Sequence, residues 1–401
     1  MLPLLAISVV FSGFEGASLE KVETVSPVHF RCHLRGDVDQ DKRNRQANWY
    51  YFRIDGARGK AVTIDLVGLP GEYNYKPNRG AVTADTLPVW SEDDKGWQHF
   101  TSAEYDAKEP RLRLQLTPRS NRVWIAHVPP YTQRNLRRLL TEYAGDPNLQ
   151  VESIGRTVGQ RQIPMITITG AKASAEDAAR RKTIWLMFRQ HAWETGSSWA
   201  AEGAIRFLLS DHPDAVAIRN RFLFRIYPLC APDGVAEGKV RFNRYGYDLN
   251  RNWDVTDPDL MPEIHAQRKK ILEWVDSGRN IDLFLSLHNT ETGEYLEGPP
   301  DPSGQFGDLG QRLFDALQKH TTFAPTRPLS VSAETTTEGK PGRMTVNQGL
   351  YRDRKLPAFL MELRIASHPR LDRPPTADDR LDFGRGLVRA TAQALDARVL
   401  Q

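Results

Sequence analysis

Four apolar runs in this 401-residue chain each lead straight into a metal-competent or charged residue. They are KTIWLMFRQH ending at His191, FLFRIYPLCAPDG, IDLFLSLH ending at His288, and PAFLME ending at Glu362. A short apolar run bounded by polar residues reads as a buried strand. Ligands of α/β sheets gather just beyond the carboxyl ends of such strands. The runs therefore predict a sheet with one functional edge, where two histidines and a glutamate converge and Glu194 lies three residues past His191.

The rest of the chain divides around these runs. Up to residue 128, HFRCHLRG, ANWYYFRIDG, KAVTIDLVGL, RLRLQLTP and RVWIAHV alternate apolar and polar residues between Gly, Pro and Asp signals. No amphipathic helix interrupts them, which predicts an all-β sandwich domain over residues 1–128. Leu136, Leu139 and Leu140 then mark a helix over Arg134 to Tyr143. Strands LQVESIG and PMITITG follow, and the apolar runs alternate with helices around Trp199 to Leu209, Pro262 to Val275, Leu309 to His320 and Asp382 to Val399. Such alternation predicts a mixed-sheet α/β/α domain over residues 129–401, covered on both faces.

Composition narrows the function. A net charge of +4, with arginines scattered among acids, lacks the clustered basic face of a nucleic-acid binder. Cys32 and Cys230 fit no metal or redox spacing and read as buried free thiols. MLPLLAISVVF is apolar enough for a signal-peptide core but has no preceding Lys or Arg. We read Ile7 to Phe11 as a first strand and the protein as cytoplasmic; export is the alternative, with residues 1–18 as its signal. No other stretch approaches the ~18 apolar residues of a membrane span. Nothing in the sequence assigns an oligomeric state.

Zinc takes imidazole nitrogen and carboxylate oxygen, and a catalytic site uses three protein ligands. His191 and Glu194 on one turn, with His288 from another strand, supply such a set. By itself, His-x-x-Glu recurs by chance, and a lone strand-end histidine is more often structural. Arg241, and Asn250 with Arg251 in DLNRNW, add groups suited to an oxyanion and a carboxylate. Glu362 ends an apolar strand, where a carboxylate is costly without a purpose or a partner. Its functional reading is a general base; its structural alternative is an ion pair with Arg364.

Taken in order, HAWE, APDG, Arg241, DLNRNW, FLSLH and FLMEL resemble the zinc carboxypeptidases of the carboxypeptidase A type. FSGFEGASLEKVE, NWYYFRIDG and AHVPPY are similar to the amino-terminal β-domain of the cytosolic carboxypeptidase subfamily. The resemblance implies one zinc ion held by His191, Glu194 and His288. It implies that Glu362 activates the metal-bound water and passes its proton to the leaving amine. Asn250 and Arg251 would hold the terminal carboxylate of a peptide or protein substrate, and Arg241, ahead of Arg244, would polarise the scissile carbonyl. Members that remove acidic residues place a basic side chain in the terminal pocket; Arg343 is the candidate here, with Tyr351 as a phenol donor.

Three departures from the subfamily weaken any transfer of substrate preference. Ala192 and Trp193 replace Pro-Gly, Ala231 replaces Asn in the Asn-Pro-Asp-Gly motif, and Asn289-Thr290 follow the last histidine. Two enzyme alternatives share the zinc logic: an aspartoacylase or desuccinylase type of amidohydrolase, and a cell-wall peptide amidase. A non-catalytic binding protein is the third alternative.

Overall fold

Alternation in the first domain turns directly into burial. In His29–His33 only Phe30 and Cys32 are buried, and in Arg111–Leu116 only Leu112 and Leu114 are. The computed structural model describes residues 6–170, 181–301, 303–333 and 342–400. Its amino-terminal part holds two five-stranded sheets packed on one apolar core. Tyr50, Phe52, Ile54, Val123 and Ile125 face that core from one sheet, and Ile64, Leu66, Leu112 and Leu114 from the other. This is the expected sandwich. The pairing of His29–His33 with Val62–Val67 is parallel.

Ser8–Val10 pairs antiparallel with Tyr51–Asp55, as a first strand. Met1 to Leu5 of the same apolar stretch lie outside the described residues. A third, four-stranded sheet built from Asp37–Val38, Arg45–Gln46, Gly71–Tyr73 and Lys76–Asn78 was not foreseen, because its strands are too short and too polar to show a period.

The second part is an eight-stranded mixed sheet. Phe222–Tyr227, Lys182–Phe188, Leu283–Thr290 and Ala358–Arg364 are its four parallel neighbours, and antiparallel strands flank them. Successive residues of one strand feed opposite faces. Ile184, Leu186 and Phe188 join the core under helices Thr195–Leu209, Gly307–His320 and Ala377–Leu395. Trp185 and Met187 join the core under helix Pro262–Asp276. Both faces are covered, as the unbroken apolar runs required.

Two expectations need correction. His288 and Glu362 do not end their strands, which continue to Thr290 and Arg364. The parallel ladder carries on through Asn289 opposite Leu363 and Thr290 opposite Arg364, which holds both strands in register past the functional residues. The last helix runs over Ala377–Leu395 rather than Asp382 to Val399, because Thr376 and Asp379 form a capping box that starts it earlier. That helix crosses Thr195–Leu209 closely enough that a Cβ on Gly384 would lie 1.9 Å from the Ala200 carbonyl, and one on Gly203 would lie 2.0 Å from the Leu381 carbonyl. Among the described residues no helix is long and apolar enough to cross a membrane.

Candidate active site

The turn after Lys182–Phe188 is built around Arg189, a buried residue in the left-handed region at φ 61°. Its guanidinium donates to the Ala192 carbonyl from both Nε (2.8 Å) and Nη2 (2.5 Å). It also reaches the Tyr131 carbonyl (3.2 Å) and Ser198 Oγ (3.1 Å). Burial pushes its pKa down to about 9, against the pull of nearby Glu194. These bonds wrap the chain so that His191 and Glu194 point the same way.

Three donors then converge. His191 Nδ1 lies 2.6 Å from Glu194 Oε1, and His288 Nδ1 lies 2.9 Å from Glu194 Oε2. One ligand atom from each residue falls within 4.8 Å of the others, and all three side chains are buried. The outward nitrogens are anchored: His191 Nε2 to Asp248 Oδ1 (3.0 Å) and His288 Nε2 to Gln190 Oε1 (3.0 Å). An Nε2–H donated to each acceptor leaves both Nδ1 lone pairs facing Glu194, the arrangement a bound metal requires. Two imidazoles and a carboxylate fit zinc.

Asp248 also accepts from Arg241 Nε at 2.6 Å and from the Asn250 backbone N–H at 2.8 Å. Burial raises its pKa, but Arg241 and His191 more than offset this and hold it well below the usual carboxylate range. Arg241 is placed from two sides, because Asp37 Oδ2 of the amino-terminal part accepts from the backbone N–H of Arg241 and of Phe242, both at 2.9 Å.

Glu362 stands directly opposite His288 across the parallel ladder. Its Oε2 is enclosed and has no hydrogen-bond partner among the described residues. Burial pushes its carboxyl well above the ordinary range, nearby Glu194 adds to this, and Arg241 offsets part of it. The structural alternative fails: Arg364 Nε lies 4.0 Å from Glu294, which also accepts from His368 at 3.0 Å. Glu362, Glu194 and Arg241 open onto a cavity of about 510 Å³ whose far wall is the amino-terminal domain, with Arg45, Tyr73 and Arg79 among its lining.

Residues 136–295 match the family profile described as zinc carboxypeptidase, and residues 10–128 match the cytosolic carboxypeptidase N-terminal domain. Over those residues the chain carries a zinc carboxypeptidase domain and a cytosolic carboxypeptidase N-terminal domain. An uncharacterized protein of Zymomonas mobilis subsp. mobilis is 26% identical over 396 residues, 96% of either chain. Cytosolic carboxypeptidase 2 of Mus musculus is 27% identical over 293 residues, 69% of this chain and 34% of that protein. The chain thus spans about a third of that relative's length. The crystal structure of a metallo-carboxypeptidase from Burkholderia cenocepacia shares the fold, with a TM-score of 0.82 at 22% identity over 98% of this chain and 100% of that one.

Around the site, the remaining candidates divide. Asn250 Oδ1 accepts from the Val346 backbone N–H (3.0 Å), and its Nδ2 lies 3.4 Å from His288 Nε2. Arg251 is half-buried, with Nη1 on the Asn250 carbonyl at 2.8 Å. Asn250 sits beside His288, and neither residue lines the 510 Å³ cavity. Arg244 pairs with Glu237 at 3.0 Å, and Arg241 rather than Arg244 lines the cavity.

Arg343 and Tyr351 are not among the cavity's lining residues. Asp254 accepts from the backbone N–H of Gly342 (2.8 Å) and Met344 (3.2 Å), and Arg343 Nη2 lies 3.9 Å from Asp41. Tyr351 is buried and donates to Asp301 at 3.2 Å. Asp233 of APDG is structural, accepting from Thr157, Gly159 and Arg161 at 2.7 Å each. Trp193, a departure from the subfamily, packs at the domain seam with Trp49, Tyr51 and Val128. The sequence reading missed Arg189 and Gln190, although they immediately precede His191, and gave Asp248 no role within its motif.

Proposed function

We propose that this chain is a zinc-dependent metallocarboxypeptidase that removes the terminal residue of peptides or proteins, with Glu362 as general base. The observation that carries the reading is Glu362 itself, a residue across from His288 that lines the same cavity as Glu194 and Arg241 and keeps one enclosed oxygen without a hydrogen-bond partner among the described residues. His191, Glu194 and His288 hold the ion. Bound zinc supplies Lewis acidity and a water of lowered pKa.

The chain's own groups do the rest. Glu362, its basicity raised by burial, takes a proton from the attacking water and delivers it to the leaving amine. Arg241, fixed through Nε by Asp248, turns its guanidinium to the carbonyl oxygen as negative charge develops there. Arg251, with Asn250 beside it, holds the free carboxylate of the terminal residue. The names of the cytosolic carboxypeptidase relatives support a cytoplasmic setting.

Preference for acidic terminal residues has less support, because the arginine expected to confer it sits near Asp41. The N-acyl amidohydrolase reading has less support too, because a cavity walled by a second domain suits a peptide extending beyond the scissile bond. Glu362→Gln tests the central assignment. Turnover of a peptide library, followed by mass spectrometry, should fall by ~10²–10⁴ while zinc content stays that of the wild type. A variant that keeps turnover refutes Glu362 as the base, and wild-type cleavage of N-acyl amino acids alone refutes the peptidase reading.

A further inference from the structure

The carboxyl-terminal residue of a substrate accounts for only part of the space at this site. Asn250 lies beside His288, and neither it nor Arg251 lines the 510 Å³ cavity. With the terminal carboxylate at Arg251 and the scissile bond beside Glu362, the preceding residues must leave through that cavity. One of its walls is the stretch Asn289 to Thr292 of the catalytic domain. The other is the four-stranded sheet of the amino-terminal domain, including Arg45, Glu72 and Tyr73, with Arg79 just past its last strand.

That second wall is held firmly. The hairpin Gly71–Tyr73 and Lys76–Asn78 turns through Asn74 and Tyr75, both left-handed at φ 52° and 61°. The Asn74 N–H donates to Asn44 Oδ1 (3.0 Å) and the Tyr75 N–H to the Arg43 carbonyl (2.9 Å). Asp39 in turn accepts from the backbone of Arg43 (2.6 Å) and Asn44 (3.1 Å). A Cβ on Gly71 would lie 2.5 Å from the Arg45 carbonyl, so only glycine allows this approach.

The hairpin adds nothing to a core. Tyr73 is 60% exposed and Tyr75 67%. The side chains of Arg79 and Glu72 have no hydrogen-bond or ion-pair partner among the described residues. A rigid hairpin that presents an exposed phenol and unpaired charges of both signs to a catalytic cavity is suited to a polar ligand.

We propose that this hairpin and Arg79 form the binding surface for the substrate residues preceding the scissile bond, so that the enzyme acts on extended, polar peptide tails in preference to dipeptides. The proposal rests on the carboxypeptidase reading. Tyr73 lays its ring along the peptide, while Arg79 and Glu72 reach its backbone and side chains. Charges of mixed sign give the wall affinity for polar chain without selecting acidic or basic residues. Binding energy gathered away from the reacting bond is then available at it.

The test is a length series sharing one terminal dipeptide, from the N-blocked dipeptide to the hexapeptide. The readout is the ratio of kcat/KM for the hexapeptide to that for the blocked dipeptide. In the wild type this ratio should be about tenfold or more, which is ~1.4 kcal/mol. In Tyr73→Ala/Arg79→Ala it should fall at least fivefold, mostly through KM. The ratio is internal to each protein, so partial unfolding cancels. A wild-type ratio near one, or a ratio unchanged in the variant, overturns the proposal and leaves the carboxypeptidase reading standing. Cleavage of no peptide by the zinc-loaded wild type overturns both.

Discussion

Replacing Asp248 with asparagine should weaken zinc binding without touching a ligand. Asp248 is the acceptor for His191 Nε2 at 3.0 Å and for Arg241 Nε at 2.6 Å. Asparagine keeps the shape but loses the charge, and it has one acceptor oxygen where the carboxylate has two. Facing both His191 and the Asn250 N–H with that oxygen, it turns an N–H toward the Arg241 N–H. Hydrogen bonds to charged groups are worth about 1.5–3 kcal/mol each, so losing the bond to Arg241 should cost stability on that order. The weakened hold on His191 should reduce zinc affinity by about 10–100-fold, or ~1.4–2.7 kcal/mol. Competition against a chromogenic chelator measures the affinity, and a urea titration of the zinc-free protein measures the stability. Glu362→Gln is the control, because it removes a group that bonds to none of the three ligands. Asp248→Asn protein with zinc affinity within twofold of wild type and unchanged stability refutes the argument that Asp248 orients both His191 and Arg241.

Three other outcomes check separate parts of the structure. Gly384→Ala gains ~1 kcal/mol of helix propensity but sets a Cβ 1.9 Å from the Ala200 carbonyl, and the overpacking, at about 1–3 kcal/mol or more, should win; the urea midpoint should drop. Buried Glu263 has its pKa raised to about 7 from 4.5 by burial, with the Asn243 hydrogen bond opposing. The folded state therefore holds a proton that the unfolded state has lost, and stability falls as pH rises through that window, by about 3 kcal/mol in all. Glu263→Gln should gain about that much relative to wild type between about pH 5 and pH 8, in paired urea titrations. Arg343→Ala should leave the terminal-residue preference unchanged in product analysis; a loss of acidic cleavage would return Arg343 to the terminal pocket.

What the sequence made legible was whatever repeats or has local chemistry. Ile184, Trp185, Leu186, Met187 and Phe188 are buried on both faces of the sheet, so the strand shows as an unbroken apolar run whatever packs against it. His191 and Glu194 were legible as a ligand pair because both lie on one turn. Asp248 was present in its motif, yet its partners His191 and Arg241 are brought to it only by tertiary folding. The setting of Arg343 was hidden for the same reason, since a loop arginine's direction depends on Asp254 and Asp41, which sequence spacing does not connect to it. The polar sheet carrying Tyr73 has no period to detect, so the far wall of the cavity was hidden even though each of its residues was in view.

The domain seam explains why that wall belongs to the site. Asp37 fixes the backbone at Arg241 and Phe242, and Arg35 donates to the carbonyls of Glu237 and Gly238 at 2.5 and 2.8 Å. Gly238 passes so near the first domain that a Cβ would lie 2.4 Å from the Ala17 carbonyl, and its φ of +63° already favours glycine. The segment carrying Arg241 is thus shaped by contacts with the amino-terminal domain, and Trp193, between His191 and Glu194, packs into the same seam. The proposed zinc donors and base sit on two strands of one sheet and the turn that follows a third, but the guanidinium proposed to meet the developing charge is positioned by the other domain. On the proposed roles, separating the two domains should loosen both Arg241 and the turn that carries His191 and Glu194, so the seam supports carbonyl polarisation and metal binding alike.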